Sequence, residues 1–382
     1  MKCWKNKTIN NICKILDNKR VPISKKNRIS GIYPYYGASG IVDYIDKYIF
    51  DEELVLIGED GAKWGAFENS AFIVNGKYWV NNHAHILKPN NEILINKFLV
   101  YFLNYSNLEK YITGATVKKL NQQKLKQIKI PLPPLKEQER IVGILDESFA
   151  KIDESIKILE QDLLNLDELM QSALQKAFNP LKYNAKENYK LPQAWEWKSL
   201  DEICEIVMGQ SPNGNCIFNK DKNKDLIEFH QGKIAFSDKY INKSDFVTSD
   251  IRKIAKKNSV VLSVRAPVGE VNITSEDIAI GRGLCSINGI KINNEFLFFY
   301  LLTLKKYFND NSTGSTFKAI STKIIKETKI PLPPLKEQEQ IASHLDELSS
   351  HVKNLKQNYQ AQIKDLQELK KSLLDKAFKG NL

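Results

Sequence analysis

The chain has 382 residues, 42% of them hydrophobic and 26% charged. That balance suits two soluble domains of about 150 residues each and excludes a single small module, a disordered chain or a collagen-like fibre. Fifty-six lysines and arginines against 45 aspartates and glutamates leave a net charge of +11 and a pI near 9.1, pointing to a polyanionic partner such as nucleic acid or an acidic membrane surface.

From the start of the chain, Lys2, Lys5 and Lys7 are not followed by an apolar h-region, so no targeting signal is read and a cytoplasmic location is expected. Residues 1–130 form a variable block with 20 basic and 11 acidic side chains. Its cationic stretches are Lys25, Lys26 and Arg28 near Tyr36, then Lys63, then Lys118 and Lys119 followed by Gln122. His83 and His85 could share one strand face as metal ligands. No cysteine or carboxylate stands nearby at ligand spacing, so burial or a backbone hydrogen bond is expected and no metal is assigned.

Residues 131–180 read as a helix. Pro133 and Pro134 suit an extended joint and a first helical turn. Beyond them Leu145, Ile152, Ile156, Leu159, Leu163 and Leu166 belong to an apolar series whose steps alternate three and four, a coiled-coil seam. The segment carries 5 basic and 10 acidic side chains, so it is not the grip on a polyanion. Residues 179–183 (NPLKY) lack the second proline of the Asn/Asp-Pro-Pro-aromatic motif of adenine methyltransferases, and no glycine-rich cofactor loop accompanies them.

The second variable block spans residues 188–328, and residues 181–330 hold 23 basic against 17 acidic side chains. Gln210, Ser211, Arg252, Lys253, Arg265, Arg282 and Lys318 are its candidates for DNA contact, because arginine can bind guanine bidentately and glutamine can bind adenine. The longest apolar run, residues 296–304, stops at Lys305 and Lys306 and has about half the length of a membrane span, so it reads as a core helix and no membrane partner is expected. Glu327 and Lys329 resemble the tail of a nuclease site, but the repeat mate of Glu327 is Gln127, which cannot serve. In residues 329–382 a second seam runs through Leu345, Val352, Leu355 and Tyr359, then takes a step of four to Ile363 and Leu366 and on to Leu373, as a stutter would require. Cys3, Cys13, Cys204, Cys216 and Cys285 include no C-x-x-C pair and read as reduced core thiols.

The chain contains itself twice. KIPLPPLKEQE occurs at residues 129–139 and again at 329–339, an offset of 200 residues. The same offset relates Thr113, Gly114, Thr116 and Lys118 to Thr313, Gly314, Thr316 and Lys318. Each half is therefore a variable basic block followed by a near-constant helix. The two seams predict an antiparallel helix pair with a block at each end, related by a pseudo-two-fold axis. A helix of about 44 residues is about 65 Å long, against about 34 Å between successive grooves on one face of DNA.

At this point the sequence resembles the specificity subunits of type I restriction-modification systems. The carriers are the repeated TG-[AS]-T before IPLPPLKEQ, together with IGEDGA (57–62), WVNNHAHIL (79–87), GQSP (209–212), SVRAPVG (263–269) and IGRGLC (280–285). The resemblance implies an α+β chain of two target-recognition domains separated by paired helices, binding a bipartite double-stranded DNA target. It also implies no catalysis and no cofactor of its own, with two adenine methyltransferase subunits and restriction and translocase subunits as partners.

Overall fold

The computed structural model describes residues 4–178, 194–222, 225–314 and 318–382. Lys2, Cys3, Thr316, the 179–183 stretch and the domain limits drawn at 180 and 188 lie outside the described residues. The chain divides into two compact units, Met1–Glu160 with Tyr359–Leu382, and Gln161–Asn358.

In the first unit a four-stranded antiparallel sheet has the order Cys13–Ile15, Ala84–Pro89, Leu54–Gly58, Ala71–Val74. Every residue of Leu54–Gly58 is buried, which is why that strand reads as a continuous apolar run rather than an alternation. Helix Asn96–Tyr105 buries Phe98, Leu99 and Leu103 in the core that includes Val55 and Ile57 from this strand. A second sheet orders Gly40–Ile45, Ser30–Gly37, Lys77–Val80 and Phe50–Asp51, with Ser30–Gly37 parallel to Lys77–Val80.

The second unit repeats this plan. Its four-stranded sheet runs Cys204–Met208, Leu284–Gly289, Val260–Ser263, Val271–Ile273, again antiparallel. In its second sheet Ile227–His230 lies parallel to Ile278–Ile280. The apolar run expected to be a core helix falls in Asn294–Thr303 with Phe296 to Leu301 buried, and no described helix is long and apolar enough to cross a membrane.

The repeated KIPLPPLKEQE string has a structural reason. Lys129–Leu132 pairs antiparallel with Lys5–Thr8, and Lys329–Leu332 pairs with Glu196–Ser199 in the matching register. Two-stranded clasps tolerate Pro131 and Pro331, whose missing N–H groups can face outward. A helix starts at Leu135 and at Leu335. Gln138, fully buried, donates to the carbonyls of Pro133 (2.9 Å) and Ile93 (2.8 Å) and accepts from the Ile95 N–H at 2.9 Å. Gln338 likewise donates to Pro333 and accepts from Asn293 N–H, at 2.8 Å each. Each glutamine locks the helix start to its own block.

Helices Leu135–Phe178 and Leu335–Phe378 each have 44 residues. Within the first unit Ile141 and Leu145 share a core with Leu374 and Ala377, Arg140 reaches the Leu382 carbonyl at 3.0 Å, and Lys370 pairs with Asp153, an antiparallel arrangement. Within the second unit Phe178 and Ala173 pack with Ala342 and Leu345, and Lys356 pairs with Asp167. Phe378 closes the first unit against Phe98, Phe102 and Tyr105, and Phe178 closes the second against Phe296 and Tyr300.

Most of the expected seam is covered. Leu145, Ile152, Leu166, Leu345 and Val352 are buried, and Ile156, Leu159, Leu163, Ile363, Leu366 and Leu373 are half-buried. Leu355 departs from expectation at 40% exposed. The second helix keeps the heptad of the first without a stutter, because Lys356 and Lys370 stand where the first helix has Ile156 and Met170. Their aliphatic stems lie along the apolar surface while the ammonium groups reach Asp167 and Asp153. A pattern search that counts only apolar residues skips such positions.

Candidate nucleic-acid interface

In the second unit, loops at one end of the sheets gather most of the expected contact residues. Gln210, Arg252 and Lys253 line one small pocket with Asp250. The Gln210 N–H donates to the Ile280 carbonyl (3.0 Å), and the Ile280 N–H donates to the Lys253 carbonyl (2.9 Å), so three loops are tied together. Arg252 chelates Asp250 through Nε (2.9 Å) and Nη2 (2.5 Å), and this hydrogen bonding holds the Asp250 carboxyl down at about 2. Ser211 hydrogen-bonds a residue that sequence reasoning passed over, Gln231, at 2.8 Å from Oγ to Nε2.

The same end carries Arg265, Arg282 and Lys318. The Val264 N–H donates to the Gly283 carbonyl (2.9 Å), and the Ala266 N–H donates to the Lys318 carbonyl (3.1 Å), which places the three segments side by side. All three side chains are exposed. Among the described residues neither Arg265 nor Arg282 is held in an ion pair, and Lys318 has only a long contact to Asn309 at 3.4 Å. Uncompensated cations on adjoining loops suit phosphate and base-edge contact.

The first unit builds the corresponding end differently. Asp17 and His85 face one another across the sheet, with Nδ1 2.6 Å from Asp17 Oδ2 and Nε2 2.6 Å from the Leu120 carbonyl. Gln122 donates to the same carboxylate at 3.0 Å and the Ile86 N–H donates to its other oxygen at 3.0 Å. Burial pushes the Asp17 carboxyl up, but the histidine, amide and backbone donors outweigh it and hold the group below its ordinary value. Glu59 stands beside this pair, bound by Arg20 and, at 2.8 Å, by Lys119. Burial opposes ionisation there too, and the two cations win, so Glu59 is also held low.

No local spacing marks carboxylates around His85, yet Asp17, Glu59 and His85 place ligand atoms within 4.8 Å of one another. The sheet register, continued by the Glu59 N–H bond to the His83 carbonyl, brings them there from positions far apart in the chain. Arg20, Lys119 and Gln122 already satisfy their oxygens, so the arrangement serves as an ion-pair cluster.

The remaining candidates separate into free and engaged groups. Lys25, Lys26, Lys63 and Lys118 are exposed. Arg28 is bound to Asp43 at 3.0 Å and stacks 4.4 Å from the Tyr35 ring, and Tyr36 packs edge-on against Tyr78. Lys119 and Gln122 are tied to the acidic cluster. Cys204 and Cys285 are buried free thiols pushed up to about 12 by burial, and Cys13 is half-buried and pushed up likewise, while Cys216 is half-buried and free.

Comparison with known proteins follows the same two-part division. The family described as Type I restriction modification DNA specificity domain matches residues 1–163 and 192–365. The putative type I restriction enzyme MjaX specificity subunit of Methanocaldococcus jannaschii is 33% identical over 310 residues, 78% of this chain and 70% of that protein. The type I restriction enzyme EcoDI specificity subunit of Escherichia coli is 24% identical over 99% of this chain and 88% of its own. Among solved structures, a chain from a study of complex assembly and conformational transition of the type I R-M system superposes with a TM-score of 0.79 at 25% identity, covering 100% of this chain and 99% of that one. The HsdS subunit from Thermoanaerobacter tengcongensis gives 0.62 at 25% identity over 99% and 97%.

Proposed function

The chain belongs to the type I restriction-modification DNA specificity family, and on that footing we propose that it selects the DNA sequence on which a type I restriction-modification complex acts. It is the non-catalytic subunit. Each unit binds one half of a bipartite double-stranded target, and the chain docks two adenine methyltransferase subunits together with restriction and translocase subunits. It works in the cytoplasm, where that DNA is accessible.

One observation supports this reading above the others: the same order in the four-stranded antiparallel sheet, the same clasp and the same helix-locking glutamine occur in both units, while the exposed residues at the loop end differ. A duplicated frame with divergent faces is what recognition of two different half-sites requires, because phosphate contacts position a protein and side chains at base edges specify it. The test is a genome-wide map of methylated adenines in the host with and without the gene. One split motif vanishes on deletion if the reading is right, and an unchanged methylation pattern contradicts it. The purified chain alone neither cuts nor methylates DNA.

A further inference from the structure

Resting on the reading that the second unit recognises one half of the target, we propose that Gln231 and Arg282 are its base-reading pair, with Ser211 as the positioning residue for Gln231. The argument begins from a backbone frame common to both units. The Asn81 N–H donates to the Tyr36 carbonyl at 3.0 Å and the Gly281 N–H to the His230 carbonyl at 2.8 Å. The Glu59 N–H donates to the His83 carbonyl at 2.8 Å and the Val264 N–H to the Gly283 carbonyl at 2.9 Å. Between these fixed points the first unit carries Gly37 and Asn82, and the second carries Gln231 and Arg282. The frame is retained where the side chains change in size and charge.

Glycine brings the second pair together. A Cβ at position 281 would stand 2.5 Å from Gln231 Oε1 and 2.8 Å from its Cα, and one at position 283 would stand 2.7 Å from the Gln231 carbonyl oxygen. Only glycine on both sides of Arg282 lets the backbone that bears Gln231 lie so close. The two exposed side chains therefore leave the surface from adjoining backbone segments.

Their remaining hydrogen-bonding capacity fits base edges. The Ser211 hydroxyl lies 2.8 Å from Nε2 and 3.0 Å from Oε1 of Gln231, orienting the amide while leaving one Nε2–H and one Oε1 lone pair unused. The hydroxyl fills the fork of the amide, so these two groups point apart and each can make a single hydrogen bond to a base edge, Nε2–H to a purine N7 or Oε1 to an exocyclic amino group. The Arg282 guanidinium, without an ion pair among the described residues, matches O6 and N7 of guanine. Arg252 differs, since its fork is already spent on Asp250.

The experiment uses the intact chain co-expressed with its methyltransferase subunits, with methylated adenines mapped across the genome. Arg282→Ala and Arg282→Lys should both relax one base position in one half of the motif, with discrimination there falling about 10- to 100-fold, because a lysine cannot reproduce the bidentate fork. Gln231→Ala should relax a second position in the same half. Ser211→Ala should weaken that same position and Ser211→Thr should restore it. Hydrogen exchange on the second unit should be unaltered, since the substituted side chains are at the surface. An even loss of methylation over all sequences in Arg282→Ala, restored by Arg282→Lys, makes Arg282 a phosphate contact and overturns the proposal. An unchanged motif in all the variants overturns it equally. A wild-type complex that methylates no split motif overturns the functional reading itself, and the base-reading pair falls with it.

Discussion

The two units share a sheet register but fill one position of it with opposite chemistry. Where the first unit sets Asp17 opposite His85, the second sets Met208 opposite Cys285, and where the first has Glu59 the second has Val264. The same substitution of character runs outward to the loop end. Asp60 forms a bridge to Lys119 in one unit, and Arg265 forms the equivalent bridge to Ala319 in the other. The lesson is that clasp, register and helix closure define the fold, leaving the loop end free to be an ion-pair cluster or an uncompensated cationic surface. Charge follows: in the first unit carboxylates neutralise Lys119 and Arg20, whereas Arg265 and Arg282 in the second stay available.

The closures should show the largest effects. Phe178→Ala should destabilise the second unit by about 4 kcal/mol, the usual cost of emptying a buried aromatic site, seen as lost hydrogen-exchange protection in Val260–Ser263 and Leu284–Gly289. Phe378→Ala should act on the first unit in the same way but more weakly, because Phe378 is only half-buried. Equal losses in both units from either change would break the division into two closures.

Next is the buried cluster. Asp17→Ala should cost about 3 kcal/mol in the first unit, because it strands His85, Gln122 and the Ile86 N–H. The combined change Asp17→Met, Glu59→Val and His85→Cys, which copies the second unit at those three positions, should cost at least as much, because it still strands Gln122 and the Ile86 N–H and also leaves the half-buried Arg20 without its carboxylates. Acid gives an independent readout. Both carboxyls are held below their ordinary values of 3.8 and 4.5, so their contribution is present above that range and is lost as pH falls through it. The parent should therefore lose more protection in the first unit between about pH 5 and pH 3 than the triple variant does. The reverse order would show that the cluster does not stabilise the fold.

DNA binding should register a smaller difference. Lys118→Ala should lower the slope of log affinity against log salt by about 1, whereas Lys119→Ala should alter it far less, because Glu59 already neutralises that ammonium. Smallest of all, Lys356→Met with Lys370→Met should complete the apolar seam and change stability by less than about 1 kcal/mol in thermal unfolding, since both ion pairs are exposed on the carboxylate side.

Repetition and heptad spacing made the gross plan legible. The offset of 200 residues foretold two equal helices beginning just after Pro134 and Pro334, and they do. Leu355 was misplaced because a lysine that lies on an apolar seam has no signature in hydrophobic spacing. The Asp17, Glu59 and His85 cluster was illegible for another reason: its members meet through strand register, which no local pattern encodes. Gln231 sits outside any basic run. Its one signal is the pair of glycines flanking Arg282, which report a close backbone approach without naming the segment that approaches.

The central claim is that each unit independently reads its own half of one target. Replacing residues 1–130 with the corresponding block of another family member, co-expressing the hybrid with the methyltransferase and mapping methylated adenines, tests it most directly. The account predicts a new sequence in one half of the motif beside an unaltered second half. A motif changed in both halves, or in neither, contradicts it.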